Sequence, residues 1–130
     1  MVVPAPPDPP RLFAYGTLQP GRLRWPLLAP FVIGHRAAKV AGRIYDSGYG
    51  WPVAMFDGSH DLVPGTVIDL DPARAGEAIE LLDEVEATAT DLLRRIIVTT
   101  TTGEHAWAYH CDHPTSAMVR IVSWDRPNER

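Results

Sequence analysis

Residues 71–86 carry a sustained helical pattern, and everything around them comes in short pieces. Asp71 is a good N-cap, Pro72 fits the first helical position, and residues 73–86 are mostly helix formers. Residues 11–15 read Arg-Leu-Phe-Ala-Tyr, a short buried strand stopped by Gly16. Residues 16–21 hold two glycines and a proline and form a loop. Residues 23–29 allow a helical turn that Pro26 cuts short. Residues 39–45 alternate loosely, as a half-buried strand does. Residues 46–52 place Gly48, Gly50 and Pro52 around Tyr49 and Trp51, an aromatic turn-rich loop before a short strand at 53–56. Residues 62–70 form another strand, with Pro64 and Gly65 marking an edge or a bulge. After the helix, residues 93–101 are dense in β-branched side chains. A turn at 101–104 and a returning strand at 105–110 make a hairpin, and 118–124 hold a last strand. Many short strands around one good helix predict an α+β domain on a curled, mostly antiparallel sheet. Ten glycines and thirteen prolines suit that architecture better than a helical bundle.

A chain of 130 residues has room for one core. We expect a Pro-rich, disordered leader at 1–10, a single domain at 11–124 and a polar tail at 125–130. No stretch approaches the ~20 apolar residues of a membrane span. The formal net charge is −4, and Lys39 is the only lysine. A mildly acidic chain is a poor partner for nucleic acid or an anionic membrane. The single Cys111 excludes an internal disulfide, and the start of the chain lacks the basic and apolar runs of a signal peptide. A cytoplasmic protein is expected.

The helix holds the most informative residue. At ~100° per residue, Ala78, Ile79, Leu82 and Glu86 fall within about 60° of Ala75, and Glu77, Glu80 and Glu84 fall on the far side. Glu86 is therefore in line with the apolar stripe. A carboxylate there is desolvated, which raises its pKa toward neutral and suits a general acid/base. The alternatives are that the helix frays before Glu86, or that Glu86 pairs with Arg94 or Arg95. The second feature is the junction Tyr15-Gly16-Thr17-Leu18. A Gly after a buried strand turns the backbone sharply and exposes successive N–H groups, a nest for a carboxylate or a developing oxyanion. The alternative is an ordinary strand-ending turn. His105, His110, Cys111 and His113 lack the paired spacing of a zinc site, so no metal is expected. Cys111 reads as a buried inert thiol. Trp25, Trp51, Trp107 and Trp124 read as core and loop anchors, with one or two at a pocket.

Together these residues resemble a family. Residues 12–18 (Leu-Phe-Ala-Tyr-Gly-Thr-Leu) with Gly21 resemble the opening signature of the γ-glutamylcyclotransferase-like superfamily, which includes the AIG2-like proteins. Ile44-Tyr45-Asp46 with Trp51-Pro52-Val53 resembles its second strand and proline-bearing loop. Residues 63–67 resemble the strand before the helix. Leu82-Asp83-Glu84-Val85-Glu86 resembles the segment whose last glutamate is catalytic, and residues 95–98 and 106–109 resemble the hairpin that follows. The resemblance implies a small mixed, mostly antiparallel β-barrel with one main helix alongside. It implies intramolecular cyclisation of a γ-glutamyl amine, amino acid or peptide to 5-oxoproline and a free amine, without a cofactor. In that reading Glu86 is the catalytic acid/base, and Tyr15, Gly16, Thr17, Leu18, Pro52 and Leu93 bind substrate.

Three positions depart from the family's usual pattern. Ala87 stands where Gly often follows the catalytic glutamate, Leu93 where a Tyr is common, and Arg24 near a frequent Asn. The rival reading is a non-catalytic ligand-binding or interaction domain on the same barrel. Such a protein has little reason to keep a carboxylate aimed into its core.

Overall fold

Strand β1 (Arg11–Ala14) is buried on both faces because it runs through the middle of the sheet. The computed structural model describes residues 10–48, 51–58, 60–89, 93–111 and 115–124, without the side chains of 86–89. The expected leader, apart from Pro10, and the tail lie outside the described residues. After β1 come the short helix α1 (Trp25–Leu28) and a 3₁₀ turn at Ala29–Phe31. Next are β2 (Val32–Ala41), β3 (Arg43–Asp46), β4 (Pro52–Met55) and β5 (Leu62–Leu70). Helix α2 (Ala75–Ala89) follows, then β6 (Leu93–Thr99), β7 (His105–Cys111) and β8 (Val119–Ile121). The strand order is β2-β5-β1-β7-β4-β3-β8, with β6 on β7. Most pairs are antiparallel; β1–β7 and β4–β7 are parallel. A bridge between Val40 and Thr100 brings β2 back to the end of β6, so the sheet curls into a small mixed β-barrel. One main helix, α2, packs beside it, as expected.

Alternation along the strands sorts the side chains into two cores. Phe13, Val67, Ala106 and Ala108 turn into the barrel with Val40, Val63 and Trp124. Leu12, Ala14 and Ile68 turn outward and meet Ala75, Ala78, Ile79 and Leu82 of α2. The helical stripe is buried as its period predicts, and Glu77, Glu80 and Glu84 are exposed. Burial of Ile79 and Leu82 stabilises this contact by roughly 1.5–3 kcal/mol each. Gly65 has a packing reason: a Cβ there would lie 2.4 Å from the Ala14 carbonyl oxygen and 2.8 Å from the Phe13 ring.

Several local expectations are corrected. The strand expected at 39–45 is two strands, the end of β2 and β3, broken at Gly42. A Cβ at Gly42 would sit 2.6 Å from the Met55 carbonyl oxygen, so the chain crosses β4 too closely for a side chain. The first part of β2, residues 32–38, carried no strand pattern because most of it is half-buried or exposed. Pro64 and Gly65 do not make β5 an edge strand; Pro64 pairs with Lys39 of β2, and β1 covers the other side only from Thr66 to Asp69. The register shift lies in β2 instead, between Val32 and Gly34. Asp71 caps a turn before the helix, accepting from the Ala73 N–H at 3.0 Å, and α2 begins at Ala75.

The closing seam carries an ion network. Arg36 of β2 donates to Asp69 of β5 at 2.6 Å and to both carboxylate oxygens of Glu104, and Arg11 donates to Asp69 at 3.3 Å. The hydrogen bonds from Arg36 hold the Glu104 carboxyl below the usual glutamate value. A depressed pKa stabilises the fold above the ~4.3 of unfolded glutamate, and that stabilisation is lost as pH falls below it. Glu104→Gln is expected to cost at most about 1 kcal/mol at neutral pH, the range of exposed pairs. Denaturant titrations of both proteins should converge as the pH drops below about 4.3; a constant gap would show that the carboxylate charge is not involved.

Candidate active site

The site begins where two strands share one edge of β7. Leu12 of β1 pairs with Trp107, and further along the same strand Ala54 of β4 pairs with His110. β1 must therefore leave the sheet before β4 arrives. Tyr15 occupies the fork. Its phenol donates to the Tyr109 carbonyl at 2.6 Å and accepts from the Ala54 N–H at 3.2 Å. One buried hydroxyl thus satisfies ladder groups that the fork would leave open. The ring packs edge-on against Phe56, centroids 5.8 Å apart.

Beyond Tyr15 the chain turns away beneath Pro52. A Cβ on Gly16 would meet Pro52 Cγ at 2.7 Å and Cδ at 2.9 Å, so glycine is required by close approach. The loop is then held by its own carbonyls. The Gly16 oxygen accepts from Gln19 N–H at 3.2 Å and from Gln19 Nε2 at 3.3 Å; the Thr17 oxygen accepts from Arg24 N–H at 2.8 Å. Gln19 Oε1 accepts from the Thr66 hydroxyl at 3.1 Å, which ties the loop to β5. Gly16, Thr17 and Leu18 are buried. Their three N–H groups donate to no described residue. Buried N–H groups are nearly always paired, so the acceptor here is left for water or a ligand.

These residues line a recess with about 420 Å³ of empty space, part of it open solvent at the mouth. Its walls include Tyr15, Gly16, Thr17, Leu18, Pro52 and Leu93. The structure thus brings together all six residues that the sequence singled out for substrate. It adds Trp51, Tyr109 and Arg24 to them, with Leu12, Phe13 and Ala14 at the back. Among the described residues of the lining, Arg24 is the only ionised side chain.

Glu86 lies within α2, which runs to Ala89, so the helix does not fray before it. Its side chain is outside the described residues. One turn earlier, Asp83 fastens the helix to the hairpin. Its Oδ1 accepts from the Tyr109 hydroxyl at 2.8 Å, and its two oxygens accept from Arg95 Nε at 2.9 Å and Nη2 at 3.1 Å. The Arg95 guanidinium lies over the Trp107 ring, 4.4 Å from its centroid. Arg95 is therefore engaged by Asp83. Tyr109 is at once a pocket wall and the anchor of α2. Its sequence signal was alternation: on β7 it shares a face with Trp107, while Ala106 and Ala108 face the barrel. Of the tryptophans, Trp51 lines the pocket and Trp124 is core. Cys111 is buried and free of disulfide. His110 Nδ1 accepts from the Phe56 N–H at 3.0 Å. Among the described residues, no helix is long and apolar enough to cross a membrane.

Solved structures share this fold. The uncharacterized protein PH0828 from Pyrococcus horikoshii matches with a TM-score of 0.63 at 21% identity, over 85% of this chain and 84% of that one. YkqA from Bacillus subtilis matches with a TM-score of 0.65 at 22% identity, over 88% of this chain but 39% of YkqA. Allophanate hydrolase from Kluyveromyces lactis contains a similar unit, with a TM-score of 0.61 at 17% identity, over 85% of this chain and 19% of that enzyme. At such identities the likeness is one of fold. No curated protein matches the chain by sequence. The sequence pattern described as "Gamma-glutamyl cyclotransferase, AIG2-like" matches residues 12–126, which include the strand-to-loop junction, the helix and the hairpin. The chain belongs to the AIG2-like gamma-glutamyl cyclotransferase family.

Proposed function

We propose that this protein cyclises a γ-glutamyl amine, amino acid or peptide to 5-oxoproline and a free amine, with Glu86 as general base and acid. Family membership supports a cyclotransferase-type function; substrate and residue roles are our reading. The observation that carries it is the loop of Gly16, Thr17 and Leu18, buried residues in the wall of an apolar recess whose N–H groups donate to no described residue. Such donors suit the oxyanion of an acyl-transfer intermediate.

The chemistry needs little else. The substrate's α-amino nitrogen attacks its own γ-carbonyl carbon and closes a five-membered lactam. Glu86 takes a proton from the attacking nitrogen. The tetrahedral oxyanion is held by loop N–H groups. As the bond from the γ-carbonyl carbon to the leaving nitrogen breaks, Glu86 returns the proton to that nitrogen. Because the attack is intramolecular, holding the reactive rotamer supplies much of the rate; effective molarities of such reactions reach ~10⁵–10⁸ M. A positioned base adds a further ~10²–10⁴. Asp83, through Tyr109, holds the helix of Glu86 against a pocket wall. The direct test is incubation with a panel of γ-glutamyl compounds and detection of 5-oxoproline by mass. Absence of 5-oxoproline from every member would refute the reading.

Leu93 bears on the leaving group. It is half-buried in the lining and offers no hydrogen-bonding side chain. We expect better activity on less polar or larger leaving amines than on free γ-glutamyl amino acids. Leu93→Tyr should shift kcat/KM back toward γ-glutamyl-alanine relative to a γ-glutamyl-alkylamine, by roughly 10–200-fold. An unchanged ratio would mean that Leu93 does not touch substrate.

A further inference from the structure

We propose that Arg24 is the carboxylate receptor of this pocket, and that it pairs with the carboxylate of the γ-glutamyl unit itself. The proposal rests on the cyclotransferase reading for the identity of the carboxylate, but the Arg24 site can be tested apart from turnover.

The argument starts from charge. The chain carries a formal net charge of −4, so a substrate carboxylate approaches an overall acidic protein. The described lining of the recess it would enter is otherwise apolar or neutral, and Arg24 is the one ionised side chain in it. The two phenols of the lining are already committed, Tyr15 to the Tyr109 carbonyl and Tyr109 to Asp83.

Arg24 also differs from other arginines of the fold. Arg11, Arg36, Arg43, Arg74, Arg95 and Arg120 each pair with a carboxylate. Arg22 donates to the Trp124 carbonyl at 3.0 Å. Among the described residues, the Arg24 guanidinium has no hydrogen bond or ion pair, although the residue is half-buried. A half-buried guanidinium without a partner is a poor structural device and a good anion receptor, because its planar fork matches a carboxylate bidentately. Its place is set by the loop that lines the site: the Arg24 N–H donates to the Thr17 carbonyl at 2.8 Å. Arg24 and the loop N–H groups therefore belong to one local stretch of backbone.

The γ-glutamyl carboxylate is the partner chosen because it is common to every substrate of the proposed reaction and survives in the product. The leaving amine varies, and the apolar Leu93 wall offers nothing to an anion on it.

The test uses two lactams that differ only in that carboxylate, 5-oxoproline and 2-pyrrolidinone. Both are titrated into wild type, Arg24→Gln and Arg24→Lys by calorimetry or NMR. Thermal melts of each variant serve as a fold check, and 5-oxoproline release from a γ-glutamyl panel is measured on the same preparations. Wild type should favour 5-oxoproline. Arg24→Gln should weaken it by roughly 10- to 100-fold, the value of a hydrogen bond to a charged group, without changing 2-pyrrolidinone. Arg24→Lys should restore part of the difference, since it keeps the charge and loses the fork. Equal binding of 5-oxoproline by wild type and Arg24→Gln overturns the proposal, as does a wild type that fails to favour the carboxylate-bearing ring; the cyclotransferase reading stands if turnover persists. Conversely, Arg24-dependent carboxylate binding without 5-oxoproline release from any compound upholds the Arg24 site and refutes the cyclotransferase reading.

Discussion

Glu86→Gln is expected to leave the fold and substrate affinity in place and to lower kcat by at least ~10², the usual contribution of a positioned base. Glutamine has nearly the shape of glutamate but cannot accept the proton of the attacking amine. The residue lies on a helix that continues past it to Ala89, one turn after the fully buried Leu82. The preceding Asp83 locks that helix to Tyr109 and Arg95. A loss of kcat with unchanged KM would place the defect in the chemical step rather than in binding. Glu84→Gln is the control. Glu84 is exposed on the opposite face of α2, so its charge should matter little to turnover. Wild-type release of 5-oxoproline by Glu86→Gln would remove Glu86 from the mechanism.

Gly16→Ala should damage the site through a single added methyl group. The added Cβ would lie 2.7 Å and 2.9 Å from two carbons of the Pro52 ring. Proline is a rigid neighbour, and it begins β4, whose next strand positions are tied to β3 and to the Tyr15 phenol. The clash must therefore be relieved by moving the loop or the start of β4. Overpacking of this kind typically costs 1–3 kcal/mol. Either movement displaces a pocket wall and the N–H groups of residues 16–18, so kcat/KM should fall by roughly 10- to 100-fold even where the protein remains folded. Such losses follow from ~1 Å misplacements. Gly34→Ala is the matched control: its Cβ would meet only Asp69 Oδ2, at 3.5 Å. Thermal melts and kcat/KM on both variants decide the matter. A Gly16→Ala protein with normal stability and activity would show that the Pro52 contact is not part of a working site.

Local periodicity made part of this molecule legible in advance. The stripe Ala75, Ala78, Ile79 and Leu82 and the exposed glutamates opposite it follow from helical geometry acting on a single segment. The β6–β7 hairpin follows from β-branched residues before a glycine turn and a returning strand with aromatic residues after it. Gly16 predicts an end of β1 at Tyr15, one residue past Ala14 where the structure ends it. Each of these depends on residues close in the chain, whose side chains and backbone dictate one local geometry.

The remainder depended on which distant segments meet. Residues 32–38 became strand because β5 offered them a partner, not because their own pattern required it; a half-exposed strand shows little periodic burial. Gly42 broke a strand because β4 passes too close, a fact held in the packing and not in the residues on either side. Tyr15 reaches Tyr109 across 94 positions and Asp83 reaches Tyr109 across 26. No local pattern announces a phenol that completes a sheet ladder, or an aspartate that anchors its own helix to a hairpin. Arg24, by sequence a departure from the family pattern, became the one ionised side chain in the described lining of an apolar recess only when the loop folded back beneath Pro52. Helical period and turn chemistry thus determined the elements. Sheet register, set by burial and by the need to pair every buried N–H and carbonyl, decided which of their side chains share the site.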